Sequence, residues 1–152
     1  MSYGLQWATA DTAGDIGRLP ADLSREGLTD RAKIAVVHLA RGDHDKQLIG
    51  QTFPALAGML EVKFDLDPQH RSRRPTMGQR PHGPRFRIIA ELDADIEQVA
   101  IWAIGPKDPR AFAGQHLSAF DLAERRLLCA RPDLWNEASA SARRRRAARS
   151  RR

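Results

Sequence analysis

Cysteine is almost absent: Cys129 is the single one among 152 residues. That excludes an internal disulfide framework and suits a reducing compartment. Long apolar runs are missing as well, and none reaches the roughly 20 residues that a membrane-spanning helix requires. The opening stretch, MSYGLQWATADTAG, has neither the basic region nor the apolar run of a secretory signal. A cytoplasmic protein with no membrane contact is therefore expected. The histidines (His38, His44, His70, His82 and His116) are scattered. With one cysteine they give no ligand spacing of the zinc or HExxH kind. No glycine-rich phosphate loop and no GxSxG elbow occurs. Neither a metal nor a cofactor is expected.

What is present in excess is arginine, and it is concentrated. The formal net charge is +6, yet seven arginines fall in the last ten residues, and without them the chain stands at −1. A second basic block, 69–87, holds Arg71, Arg73, Arg74, Arg80, Arg85 and Arg87, with His70 and His82 and no acid. Setting these six aside as well leaves −7 for the remainder. An acidic body with two concentrated basic segments points to a polyanion or an acidic partner more strongly than diffuse basicity does.

Apolar periodicity places the elements. Gly4 to Ala8, with Leu5 and Trp7 on one face, reads as an edge strand. Thr9, Asp11 and Thr12 offer N-cap oxygens for a short helix ending near Leu19-Pro20. Leu28, Ala32, Ala35, Val36 and Leu39 form a stripe of helical period, predicting a helix over 22–41 closed by Gly42. His44 to Leu56 reads as loop. Met59 to Leu66 alternates strictly and predicts a half-buried strand, with Glu61, Lys63 and Asp65 opposite its apolar face. Arg85 to Gly105, RFRIIAELDADIEQVAIWAIG, predicts a hairpin turning at Asp93–Asp95, whose second arm is apolar on both faces and so covered on both sides. The segment 67–84, with four prolines and two glycines, cannot be regular structure. After a turn at PKDPRAF, Ala113 to Leu128 reads as a helix. The expectation is an α+β fold: a small antiparallel sheet of three to four strands, an N-terminal helical hairpin on one face and a C-terminal helix. One domain spans 1–129 with an inserted basic loop, 67–85. An arginine-rich tail, 130–152, is expected to be disordered or to fold only on binding.

This order of elements, with LPADL at the first helix junction and FRII…VAIWAIG near the end, resembles the RelE/ParE superfamily of toxins from type II toxin–antitoxin pairs. The resemblance covers roughly Gly4 to Phe112. It implies a small α+β toxin whose sheet exposes a basic face. In the RNA-cleaving branch, that face binds messenger RNA at the ribosome, and the ribose 2′-hydroxyl attacks the adjacent phosphate without a metal. Such chemistry needs a base, cations for the phosphorane and an acid or cation for the leaving oxygen. Carried over by position, Arg87 and Lys63 would lie side by side on the open face, with Lys107 and Arg110 after the last strand. Arg71, Arg73, Arg74, Arg80 and Arg85 would bind RNA. The family's terminal tyrosine is replaced here by Phe112, which can stack on a base but cannot move a proton. His70 and His82 are the candidate acid and base in its place.

Two further readings stand beside this one. A ParE-like toxin would bind DNA gyrase and carry no nuclease chemistry; the lost tyrosine favours it. A non-toxic relative would bind nucleic acid through its tail. For either toxin the resemblance implies a small cognate antitoxin, whose acidic residues would suit the arginine segments. The bland alternatives are specific. Lys63 stands between Glu61 and Asp65 and would balance charge, Arg87 would form a cross-strand ion pair, and Lys107 and Arg110 would be turn residues.

Overall fold

The computed structural model describes residues 2–20, 25–66 and 83–134. Within them the fold is α+β, with a five-stranded mixed sheet and two α-helices. The strands are β1 (Gly4–Trp7), β2 (Lys46–Gln47), β3 (Leu60–Phe64), β4 (Phe86–Asp93) and β5 (Gln98–Pro106). Their order across the sheet is β1-β5-β4-β3-β2. β1 runs parallel to β5 and the other neighbours are antiparallel. The purely antiparallel sheet of three to four strands is thus corrected. β1 joins the far side of the last strand, and a two-residue β2 forms inside the stretch expected to be loop.

The expected helical hairpin is a single helix, α1 (Arg25–Ala40), preceded by two 3-10 turns, Thr12–Gly14 and Ile16–Arg18. Gly14, Gly17 and Pro20 crowd this stretch. Glycine weakens a helix interior and proline stops one, so only single turns survive. α1 ends in a Schellman arrangement: Gly42 at φ +85° and Asp43 donate to the carbonyls of Leu39 and His38, both at 2.9 Å. The C-terminal helix, α2 (Ala119–Ala130), begins later than the apolar pattern suggested. Ser118 accepts from the Asp121 N–H while the Asp121 carboxylate accepts from the Ser118 N–H, a reciprocal capping box.

The sheet is covered on both faces. Leu28, Ala32, Ala35 and Leu39 of α1 pack with Val62, Phe64, Phe86, Ile88 and Ile101 on one side. On the other, Ala119, Ala123 and Leu127 of α2 join Leu56, Met59, Ile89, Trp102 and Ala103. The expected open face therefore exists only at the margin that α2 leaves uncovered. A β-bulge tunes this packing. Ile89 pairs with Ala103 and Ala90 with Ile101, so Trp102 is the extra residue of β5, and consecutive Trp102 and Ala103 both enter the α2-side core. The fold continues past Cys129. Arg131 forms an ion pair with Glu91, N to O 2.7 Å, and Leu134 packs against the second core.

β1 ends at Trp7, opposite Ile101, and the backbone groups of β5 beyond that point are taken up by a buried polar cluster. Thr12 Oγ1 and Arg126 donate to the Trp102 carbonyl at 3.1 and 3.0 Å. The Ile104 N–H donates to Asp15 Oδ2 at 2.9 Å, and Arg126 forks onto both Asp15 oxygens at 2.7 Å each. This cluster ties the 3-10 turns and α2 to the edge of β5.

A candidate polyanion cleft at the β2–β3 margin

Strand parity decides which charges meet. Lys46 lies opposite Glu61, and Lys63 opposite Arg87, so all four share the α2 side of the sheet. Lys107 follows β5 directly, and its N–H donates to the Arg85 carbonyl at 2.8 Å. Opposite the sheet, the loop before Pro54 and the start of α2 raise a wall in which the Phe53 and Phe120 rings stack with centroids 5.5 Å apart. The loop folds this way around Gly50, at φ +75°, where an added Cβ would lie 2.8 Å from the Ala57 Cβ. Only glycine fits there. Between sheet and wall is a cleft of about 320 Å³.

Lys46, Lys63 and Lys107 line this cleft with exposed side chains. Among the described residues none of the three pairs with a carboxylate. Its floor is the Arg87–Glu61 pair, with Arg87 Nε 2.5 Å from Glu61 Oε1 and the side chains 4% and 7% exposed. Arg87 also donates to the carbonyls of Pro84 and Phe86. Glu61 Oε2, by contrast, has no protein partner among the described residues.

The expected site residues divide accordingly. Lys63, Arg87 and Lys107 are brought together. Arg87, however, does not face solvent as expected; it lies buried at the cleft floor, ion-paired to Glu61 and donating to the carbonyls of Pro84 and Phe86. Arg110 stands apart in a surface pair with Asp108, Nε to Oδ1 3.1 Å. Arg85 is held by Asp65 through Nε at 2.8 Å and its own N–H at 2.9 Å. Burial alone would raise the Asp65 pKa. The Arg85 hydrogen bonds, with that of the Leu66 N–H, outweigh burial and hold it below the ordinary carboxylate range. Phe112 is corrected from base-stacking surface to core: it is 7% exposed and packs on Phe86 at 5.0 Å. The remaining candidates, Arg71, Arg73, Arg74, Arg80, His70 and His82, lie outside the described residues.

Sequence reasoning missed Lys46 and Glu61 as cleft residues. Lys46 carried no signal, since its stretch had no periodicity. Glu61 was visible in the alternation of β3, but only the register shows it beneath Lys46 and diagonal to Arg87. Among the described residues no group of His, Cys, Asp and Glu is placed to hold a metal ion, and no helix is long and apolar enough to cross a membrane. Comparison of the chain with protein-family models, with curated proteins and with solved structures finds no match in any of the three.

Proposed function

We propose that this cleft binds the phosphodiester backbone of RNA and that the chain acts as a RelE/ParE-type toxin that cuts messenger RNA. The observation that supports it is the convergence of Lys46, Lys63 and Lys107, each without a carboxylate partner among the described residues, on one cleft floored by the Arg87–Glu61 pair. Three ammonium groups around a small cleft suit a phosphate and the charge that grows on it in a phosphorane. Among the described residues Glu61 is the one carboxylate that lines the cleft, and its Oε2, without a protein partner there, would take the proton of a ribose 2′-hydroxyl. The 2′-oxygen then bonds to phosphorus, the bond to the 5′-oxygen breaks, and a lysine ammonium supplies the proton to that oxygen. Arg87 positions Glu61 and does not touch substrate. The Phe53–Phe120 wall offers an apolar surface to a base. A small acidic antitoxin would cover the cleft.

A second reading is favoured by one observation. Phe112 lies in the core where the family's tyrosine would act, so a ParE-like or purely nucleic-acid-binding protein needs nothing more than the lysines. The discriminating experiment incubates the purified chain, with and without ribosomes, with end-labelled messenger RNA. Cleavage leaving 2′,3′-cyclic phosphate ends, lost in Glu61→Gln while RNA is still bound, supports the nuclease. Intact RNA with gyrase-dependent DNA breaks supports the second reading. RNA neither bound nor cut defeats the cleft as proposed.

A further inference from the structure

The sheet protects its open strand edges with one exception. Beyond the two residues of β2, the Lys63 N–H of β3 is taken by Asp45 Oδ2 at 2.7 Å. Beyond β1, the Ile104 N–H and Trp102 carbonyl of β5 are taken by Asp15, Thr12 and Arg126. The β2 edge is two residues long and carries Lys46, and short, charged edges resist pairing. Among the described residues the outer edge of β1 has no such device. Gly4 and Ala8 donate inward, to the carbonyls of Glu97 and Ile101 at 2.9 Å each. By strand alternation the N–H and C=O groups of Leu5 and Trp7 point outward, and no partner meets them among the described residues. Leu5 and Trp7 are themselves 41% and 42% exposed as residues.

We propose that this edge pairs with the β1 edge of a second copy of the chain. The strand is self-complementary. About a two-fold axis at Gln6, an antiparallel pair sets Leu5 opposite the partner's Trp7, and Trp7 opposite the partner's Leu5. Each pair exchanges both backbone hydrogen bonds, and both cross-strand pairs are apolar, on the same face. Charge agrees. In a chain of 29% charged residues, Ser2 to Ala10 carries no charged side chain, so no like charges meet across the axis. A charged foreign strand would find no counter-charge here. The contact is isologous and closes on itself, which makes a dimer with a continuous ten-stranded sheet and not a fibre. Because β1 and β2 are opposite edges, the lysine clefts lie at the two far ends, free in both copies. The dimer is thus independent of the function proposed for the cleft.

A four-residue edge buries little area, so the association is weak and depends on concentration. Sedimentation velocity of the full chain from about 1 to about 100 µM, a span suited to a weak specific contact, should show a monomer passing into a dimer. Trp7→Lys and Leu5→Lys should each weaken it at least about tenfold, with an unchanged urea midpoint because both side chains are exposed. Register is tested separately in a Cys129→Ser background. Gln6→Cys should give a disulfide-linked dimer, since a non-hydrogen-bonded antiparallel pair brings its Cα atoms to about 4.5 Å. Leu5→Cys, which faces the partner's Trp7, should not. A monomer at all concentrations, a dimer indifferent to Trp7→Lys, or cross-linking at position 5 in preference to position 6 would each overturn the proposal.

Discussion

Arg87 and Glu61 meet diagonally across the β3–β4 ladder, Nε 2.5 Å from Oε1, with both side chains nearly removed from solvent. Burying two charges is costly, and the pair persists because Arg87 also reaches two backbone carbonyls. Removing one partner leaves the other charged and buried. Arg87→Ala should therefore destabilise the fold by about 3–5 kcal/mol, read as a lower urea midpoint. An Arg87→Met, Glu61→Leu double variant should recover much of that loss. A loss of activity in Arg87→Ala alone reports unfolding as readily as chemistry; Glu61→Gln also breaks the ion pair but keeps an oxygen to accept from Arg87, so its activity is read beside its own urea midpoint.

The cleft lysines should behave in the opposite way. Lys46, Lys63 and Lys107 are exposed and unpaired among the described residues, so alanine at each should change stability by no more than about 0.5 kcal/mol. If the cleft holds a single-stranded backbone, each substitution should weaken binding. It should also lower the slope of log affinity against log salt by about 0.7. Fluorescence anisotropy with a labelled oligoribonucleotide at several salt concentrations measures both. An unchanged slope in the triple variant would place binding elsewhere.

Among the described residues Asp15 accepts four hydrogen bonds, as many as Asp65. It accepts from Arg126, from Arg18 at 3.0 Å and from the Ile104 N–H. Asp15→Ala would strand a largely buried guanidinium and a β5 N–H together. The expected cost is about 3–5 kcal/mol, seen in chemical denaturation. Asp11→Ala, at an exposed position in the same turn, is the control and should cost little.

Acid should unfold the protein through two carboxylates. Glu91 is held below its ordinary pKa by the Arg131 hydrogen bonds, against the opposing effect of burial. Asp65 is lowered as described above. For a group depressed in the folded state, stability is complete above the ordinary carboxylate range, about pH 4. It is lost as pH falls through the folded value. The urea midpoint should thus fall steeply below about pH 4, and Asp65→Asn should flatten that dependence. Glu124 works weakly against it, because burial, and then Asp121, raise its pKa.

Much of the fold was legible because periodicity reports burial directly. The doubly apolar β5, the Leu28–Leu39 stripe of α1 and the apolar face of β3 occupy the roles their spacing implied, but opposite that face of β3 only Lys63 meets solvent, while Glu61 and Asp65 are buried in ion pairs. Spacing is blind where a strand is too short to show a period, as with Lys46–Gln47. It is blind also where pairing is long-range, as when β1 joins β5 in parallel across most of the chain. The site divided along the same line. Lys63, Arg87 and Lys107 are named through the resemblance, by position in its motifs; strand parity adds only that Lys63 and Arg87 share a face, since Lys107 follows β5. Whether that face was open could not be read, because α2 reaches it only through tertiary packing. The sequence by itself determined which side chains share a face. Tertiary structure alone decided that Arg87 is buried against Glu61, that Phe112 belongs to the core, and that Lys46 completes the cleft. Register and coverage arise from contacts between residues far apart in the chain, and no local pattern encodes them.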